Sequence, residues 1–348
     1  MALREESGQQ IRAPTLSTVV PAYNEQDTLA ELYRRLKAVS EAAGVDSYEI
    51  IIVDDGSTDQ TWSELEMLSA QDPRVLAVKL SRNHGHQLAL TAGLSFCRGD
   101  RVLIIDADLQ DPPELLPAMM RLMDDGADVV YGLRIERAGE SKFKLVTANI
   151  FYRVLSLLAD AHIPTDTGDF RLMSRRALDI LNAMPEQQRF IRGMVSWIGM
   201  KQVPMCYRRE PRFAGSSKYP TREMIRFAID AVTSFSMRPL RLASLLGAVF
   251  ALMAVVATLY VATAWTLGRS VQGWASLSIM ILLLGSAQLL VLGIIGEYLG
   301  RLFIEAKRRP LFVVERVYTA RPGETHRRSP RQEVGMREST VSPADSGS

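Results

Sequence analysis

An α/β domain built on a mostly parallel sheet, followed by a hairpin of two transmembrane helices, is what this sequence predicts, on three observations. Apolar strands alternate with helical segments from residue 15 to about 215. Acidic motifs stand where two of those strands end. Two charge-free runs, 242–268 and 270–296, follow one another with only Arg269 between them.

The strands and helices come in order. LSTVVPAY is an apolar strand ending in a Pro turn. DTLAELYRRLKAVSEAA follows, with Leu29, Leu32, Leu36 and Val39 at helical spacing. YEIIIVDDGS is a second strand, too apolar to have a solvated face. RVLAVKLS, HQLALTAGLSFC and DRVLIIDADLQ repeat the strand–helix–strand theme, and ADVVYGLR is a further strand. Strands this apolar, joined by helices, predict a sheet covered on both faces. Ligands of such sheets bind beyond the carboxyl ends of the strands.

Each charge-free run is long enough to cross the roughly 30 Å hydrocarbon core as a helix. Trp265 and Trp274 flank the short connection, as in an interfacial aromatic belt. Arg238 and Arg241 precede the first span, and Arg301, Lys307, Arg308 and Arg309 follow the second. The positive-inside rule then places both ends of the hairpin, and the α/β domain, in the cytoplasm. MALREESGQQ has no apolar leader core behind it, so the N-terminus is expected on the same side. Small residues in GSAQ and GIIGEYLG suggest either span–span packing or, in a homo-oligomer, subunit packing. The expected organisation is a flexible N-terminus (1–14), the α/β domain (15–220), an amphipathic segment (221–238), two spans (242–298), a cytoplasmic return (299–318) and a disordered tail (319–348). The amphipathic segment, with Ile225, Ile229, Val232 and Phe235 on one face, either lies at the membrane interface or packs on the soluble domain.

Charge and cysteine usage exclude other classes. A net charge of +2 gives a nucleic-acid partner no bulk support. Cys97 and Cys206 have no metal-ligand spacing and read as reduced thiols. His84 and His86, flanking Gly85, read as neutral, hydrogen-bonded loop histidines rather than a metal pair.

Two motifs carry chemistry. In VDDGSTD, Asp54 and Asp55 leave a strand and Gly56 permits a tight turn; a turn with a Ser57 or Thr58 cap is the alternative reading. In DADLQDPP, Asp106 and Asp108 sit two apart beyond a strand end, where a short bend aims both at one cation. Hard oxygen ligands suit Mg²⁺ or Mn²⁺, which also take diphosphate oxygens, and Gln110 adds a carbonyl oxygen. Asp111 and the two prolines read as a helix start.

The order VPAYNE, VDDGSTD, DADLQDPP resembles the family 2 glycosyltransferases, which have the GT-A nucleotide-sugar-binding fold. SRNHGHQLALTAGL, DTGDFRLMSR, QQRFIRG and RFAGSSKY extend the resemblance to the polyprenyl-phosphate branch, over about residues 15–312. That resemblance implies a membrane-bound inverting transfer from a nucleotide-sugar, UDP-glucose as first choice, to polyprenyl phosphate. GDP-mannose as donor, and a non-catalytic scaffold on the same fold, are the alternatives. It implies that Pro21, Tyr23, Glu25 and Asp54 hold base and ribose, and that Asp106, Asp108 and Gln110 hold metal and sugar diphosphate. Arg134 falls where a donor or acceptor phosphate is contacted, and Asp169 where a catalytic carboxylate is proposed. Arg189, Arg192, Arg212 and Lys218 would grip phosphates. Arg208 and Arg209 join Arg212 and Lys218 in a cluster that draws in the lipid phosphate or simply meets anionic headgroups. The polar stretch 136–144 is either a loop over the site or an ordinary surface loop.

An acceptor phosphate with a second pKa near ~6 is largely ionised at neutral pH and scarcely needs a base. Asp169 is therefore expected to orient an arginine or the acceptor. A processive polysaccharide synthase would need more spans and a Gln-x-x-Arg-Trp motif where this chain reads QQRFIRG. Spans free of charge within the bilayer also argue against a transporter.

Overall fold

The computed structural model describes residues 15–45, 47–135, 167–208, 238–267 and 273–320. These fall into two compact units: 15–135, 167–208 and 310–320 in one, 238–309 in the other. Expectations for both tails, the 136–144 stretch, the amphipathic segment, Arg209, Arg212 and Lys218 lie outside the described residues.

The first unit is an eight-stranded mixed sheet in the order β7-β5-β6-β4-β1-β2-β3-β8. Its centre is parallel: β1 (Leu16–Ala22) lies between β2 (Tyr48–Asp54) and β4 (Arg101–Ile104), and β2 pairs with β3 (Val75–Leu80). Every residue of β1 and β2 is buried, which is why these strands read as continuous apolar runs. Helix α1 (Leu29–Ala42) covers one face with Leu29, Leu32, Leu36 and Val39, the four residues its periodicity marked. Each such buried side chain contributes about 1.5–3 kcal/mol. Helices α2 (Thr61–Gln71), α3 (His86–Phe96) and α4 (Leu116–Asp124) supply the crossovers.

The flanks of the sheet are where it turns mixed. β6 (Thr167–Ser174) runs antiparallel to both β4 and β5 (Val129–Arg134). β7 (Gln202–Tyr207) is parallel to β5, after α5 (Arg175–Ala183) and α6 (Ile191–Ile198). β8 (Val314–Tyr318) joins β3 antiparallel at the other edge.

In the second unit, α7 (Arg238–Thr266) and α8 (Trp274–Lys307) are helices long and apolar enough to cross a membrane, over Ala243–Ala264 and Leu283–Lys307 at mean hydropathy 2.4 and 1.5. Their large apolar side chains lie open, Leu252 and Leu289 by 65% and 71%. Helix α8 runs past the charge-free stretch to Lys307, carrying an Arg301–Glu297 pair at 2.9 Å in its last turns.

Gly56 joins the sheet to the site. Its φ is +67°, and a Cβ there would stand 2.5 Å from the Arg82 carbonyl carbon. The close approach lets Asp55, whose backbone N–H bonds to Ala22 O at 2.9 Å, receive the loop before α3. Gly56→Ala is expected to lower stability by about 2–4 kcal/mol, through a left-handed non-glycine and a backbone clash. Thermal unfolding of the purified variant measures this, and a melting temperature equal to wild type would refute the contact.

Candidate active site

Strand register assembles the site. Ala22 pairs with Asp54, and Val19 with Ile104, so the VPAYNE, DDGSTD and DADLQ loops leave three adjacent strands at one edge. On the far side of β4, Ile104 pairs with Arg171 in antiparallel register. Two residues on from Ile104 is Asp106, and two back from Arg171 is Asp169. The antiparallel strand thus brings GDFR to face DAD.

The first two loops are laced together. Asn24, at φ +53°, gives its N–H to Ser57 Oγ (2.9 Å) and accepts from Thr58 N (2.9 Å). Glu25 N donates to Thr61 Oγ1 at 2.9 Å, and Gln60 N to Gln26 Oε1 at 2.9 Å. Asp54 is fully buried; its Oδ1 accepts from Ser57 N at 2.9 Å, and its Oδ2 accepts no hydrogen bond. Tyr23 is 36% exposed at the mouth of this edge, next to Pro21 of β1. Asp55 accepts from His84 N (2.7 Å) and Gly85 N (2.9 Å), fixing the entry to α3.

Asp106 has a buried Oδ1 that accepts no hydrogen bond, 3.6 Å from His86 Nε2. Burial, together with Asp169, Asp111 and Asp108 against the opposing His86, raises its pKa to about 6. Leu109 takes φ +59°, a strained conformation for leucine that costs on the order of 1–3 kcal/mol. The bend returns Gln110 N to Asp108 Oδ1 at 3.2 Å. A buried carboxylate oxygen without a hydrogen bond, in an acidic neighbourhood of hard oxygen donors, fits a divalent cation such as Mg²⁺ or Mn²⁺.

Asp169 is the opposite case. It is 1% exposed and receives Arg192 Nε at 2.8 Å, Arg192 Nη2 at 3.1 Å, His86 Nε2 at 3.0 Å and Gln87 Nε2 at 3.2 Å. Burial alone would raise its pKa, but Arg192 and His86 hold it well below the carboxylate range. Burial would likewise lower His86, and Asp106 and Asp169 outweigh it, giving about 9. His86 beside these carboxylates is therefore a cation, a correction to the neutral histidine expected from the loop; His84, lowered by burial, stays neutral. Ligand atoms of His86, Asp106 and Asp169 do come within 4.8 Å of one another. Asp169, however, is already matched by Arg192 and His86, whereas Asp106 keeps a buried oxygen that accepts no hydrogen bond.

Arg134, at the end of β5, donates from Nε to Tyr207 Oη (3.1 Å) and lies 3.5 Å from Asp111 Oδ1 by Nη2. Tyr207 donates to that same Asp111 oxygen. A Cβ on Gly168 would meet Arg134 Nη2 at 2.5 Å, so the glycine of GDFR is what admits the guanidinium. Arg171, 3% exposed, curls back to the carbonyls of Asp169 (3.2 Å) and Gly168 (3.1 Å) and braces that strand. Arg189 is also buried, its Nη1 donating to Leu181 O at 3.2 Å, and belongs to the α5–α6 junction. Arg192, with its side chain 30% exposed, is the more open of the two arginines in QQRFIRG. Gln87, Arg171 and Tyr207 are site neighbours that sequence reasoning gave no role, and His86 one that it read as a neutral loop residue. All but Tyr207 lie inside motifs already singled out; for Tyr207 nothing in the sequence marks the pairing of β5 with β7.

This mixed sheet, with its acidic and cationic groups converging at one edge, defines a glycosyltransferase of GT-A-like fold. Residues 17–181 match the family described as Glycosyl transferase family 2. A Bacillus subtilis (strain 168) protein, "Uncharacterized glycosyltransferase YkcC", is 45% identical over 87% of this chain and 94% of its own length. The "Prophage bactoprenol glucosyl transferase homolog" of Escherichia coli (strain K12) is 36% identical over 87% of this chain and 99% of its own. The chain belongs to glycosyltransferase family 2. Among solved structures, a Mycobacterium tuberculosis glucosyl-3-phosphoglycerate synthase is similar at 21% identity and TM-score 0.43, over 63% of this chain and 76% of that one.

Proposed function

We propose that this glycosyltransferase moves a sugar from a nucleotide-sugar, UDP-glucose first, to polyprenyl phosphate such as undecaprenyl phosphate, for use in cell-envelope glycans. The near end-to-end match to a bactoprenol glucosyl transferase homologue carries the choice of acceptor. Both helices of the hairpin are proposed to span the membrane, with the catalytic unit and both ends of the hairpin cytoplasmic, from the arginine and lysine flanks.

In this reading, Pro21, Tyr23, Glu25 and Asp54 receive base and ribose, and the Asp54 oxygen without a hydrogen bond suits a base N–H. Asp106, Asp108 and Gln110 would hold a divalent cation. Such a cation, when bound, offsets charge on a diphosphate leaving group without proton transfer. Arg192 and Arg134 supply guanidinium donors for phosphate oxygens, Arg192 from its rest on Asp169 and Arg134 from Asp111. Arg189 is proposed to support them by fixing the loop before α6. Arg208, Arg209, Arg212 and Lys218 are proposed to take the lipid phosphate. An oxygen of that phosphate attacks the anomeric carbon in line with the departing nucleoside diphosphate, and holding the two in line supplies much of the acceleration.

The experiment is transfer of radiolabel from a panel of nucleotide-sugars to undecaprenyl phosphate, using detergent-purified protein. Label from UDP-glucose should enter the organic phase. Label from GDP-mannose alone would move the donor assignment. Label from no donor would overturn the function.

A further inference from the structure

We propose that Gln87 is a positioning residue for sugar transfer, locking the first turn of α6 onto Asp169 so that Arg192 keeps one orientation. The inference rests on the reading that the Asp169–Arg192 pair serves the reaction.

The geometry is a closed ring. Gln87 Nε2 donates to Asp169 Oδ2 at 3.2 Å, and Gln87 Oε1 accepts from Ile191 N at 2.9 Å. Ile191 opens α6, and its neighbour Arg192 returns to Asp169 through Nε and Nη2 at 2.8 and 3.1 Å. Helix α6 has no side-chain cap of its own at Phe190. One of its first-turn N–H groups is therefore satisfied by a residue 104 positions earlier. Gln87 is itself seated in the first turn of α3, where its carbonyl accepts from Thr91 Oγ1 at 2.7 Å.

Residue chemistry narrows the choice. A carboxamide offers a donor and an acceptor on neighbouring atoms without charge. Glutamate would still accept from Ile191 N but would set a second carboxylate against Asp169. Methionine fills the same volume and makes neither bond. Without the ring, the Arg192–Asp169 pair loses its link to the first backbone N–H of α6, and the helix is held by its packing and by bonds farther along, such as Gln202 Nε2 to Val195 O at 2.8 Å.

The test compares Gln87→Met, Gln87→Glu, Arg192→Lys and the Gln87→Met/Arg192→Lys double variant, each checked by thermal melting. Expected for either Gln87 variant is a kcat roughly 10–100-fold below wild type with the donor KM within about threefold, since the effect is on orientation rather than uniform binding. The double variant should fall no more than about threefold below the worse single, because both changes act through one contact. Amide exchange at residues 190–194 in Gln87→Met should rise at least about tenfold, a readout that needs no turnover. A kcat within about twofold of wild type, losses that multiply in the double variant, or unchanged exchange at 190–194 would each overturn the proposal. Should Gln87→Met not fold, Gln87→Glu carries the same kinetic criterion, because it keeps the bond to Ile191. An inactive wild-type protein would count against the proposed function instead, and the exchange measurement would still decide the role of Gln87.

Discussion

Asp106→Asn is expected to lower kcat by about 10³-fold or more, a barrier increase of about 4 kcal/mol, while the folded protein keeps its melting temperature. The two halves of that result have one cause. The Asp106 side chain is 22% exposed, but its Oδ1 is buried and accepts no hydrogen bond, and burial with its acidic neighbours raises its pKa to about 6. His86, 3.6 Å from its Oδ1, offsets part of the repulsion from Asp169, Asp111 and Asp108, so the carboxylate adds little to the fold, and a bound cation would supply the rest of the positive charge. Asp108→Ala should be as damaging to turnover, since Asp108 is the second hard donor on the same bend. It should cost slightly more stability, because the Gln110 N–H loses its acceptor. Steady-state transfer rates and differential scanning calorimetry on the same preparations check both statements. A large loss of stability with kcat per folded molecule unchanged would contradict the cation-holding role.

Asp169→Asn is expected to lower kcat by about 10²–10³-fold at pH 6 to 9 while leaving the acidic limb of the pH–rate profile in place. The sign follows from the direction of its pKa. Arg192 and His86 hold Asp169 well below the usual carboxylate range, so it stays ionised through the whole interval. A carboxylate so committed is a poor proton acceptor, and its ionisation does not appear on the acidic limb. That limb belongs to the acceptor, whose second phosphate pKa is near ~6, and to Asp106, at about 6. Asn keeps the size of Asp but turns one ion-pairing oxygen into an N–H₂ that faces the Arg192 guanidinium. The loss is therefore of orientation and charge at Arg192, not of a base. pH–rate profiles of wild type and variant decide the matter: an acidic limb present in both is expected, and an acidic limb missing from the variant would show that Asp169 removes a proton.

Much of this was legible in the sequence, for definable reasons. The parallel centre of the sheet announced itself because its strands are buried on both faces, so YEIIIV had to be apolar throughout. Helix α1 announced itself through four leucine and valine positions on one stripe. The two long C-terminal helices followed from apolar, charge-free runs long enough to form them. The DADLQ bend was readable because two carboxylates leaving an apolar strand mark the strand's end, where the structure places them. What stayed hidden depends on contacts between distant segments. β8 is five residues of mixed character that become a strand only beside β3. Asp169 meets Asp106 because β6 is antiparallel to β4, a register no local pattern encodes. His86 was taken as a neutral loop histidine because nothing nearby in sequence is acidic; the carboxylates that charge it come from residues 106 and 169. Gln87 looked like an ordinary first-turn residue because its partners lie 82 and 104 positions away.

The most direct measurement is titration of the purified protein with Mn²⁺ by electron paramagnetic resonance in the presence of UDP, comparing wild type with Asp106→Asn. One bound Mn²⁺ per wild-type chain, lost or weakened at least about tenfold in the variant, is the expected result. Equal Mn²⁺ binding by both proteins, or no binding by a wild type that still transfers sugar in excess EDTA, would contradict it.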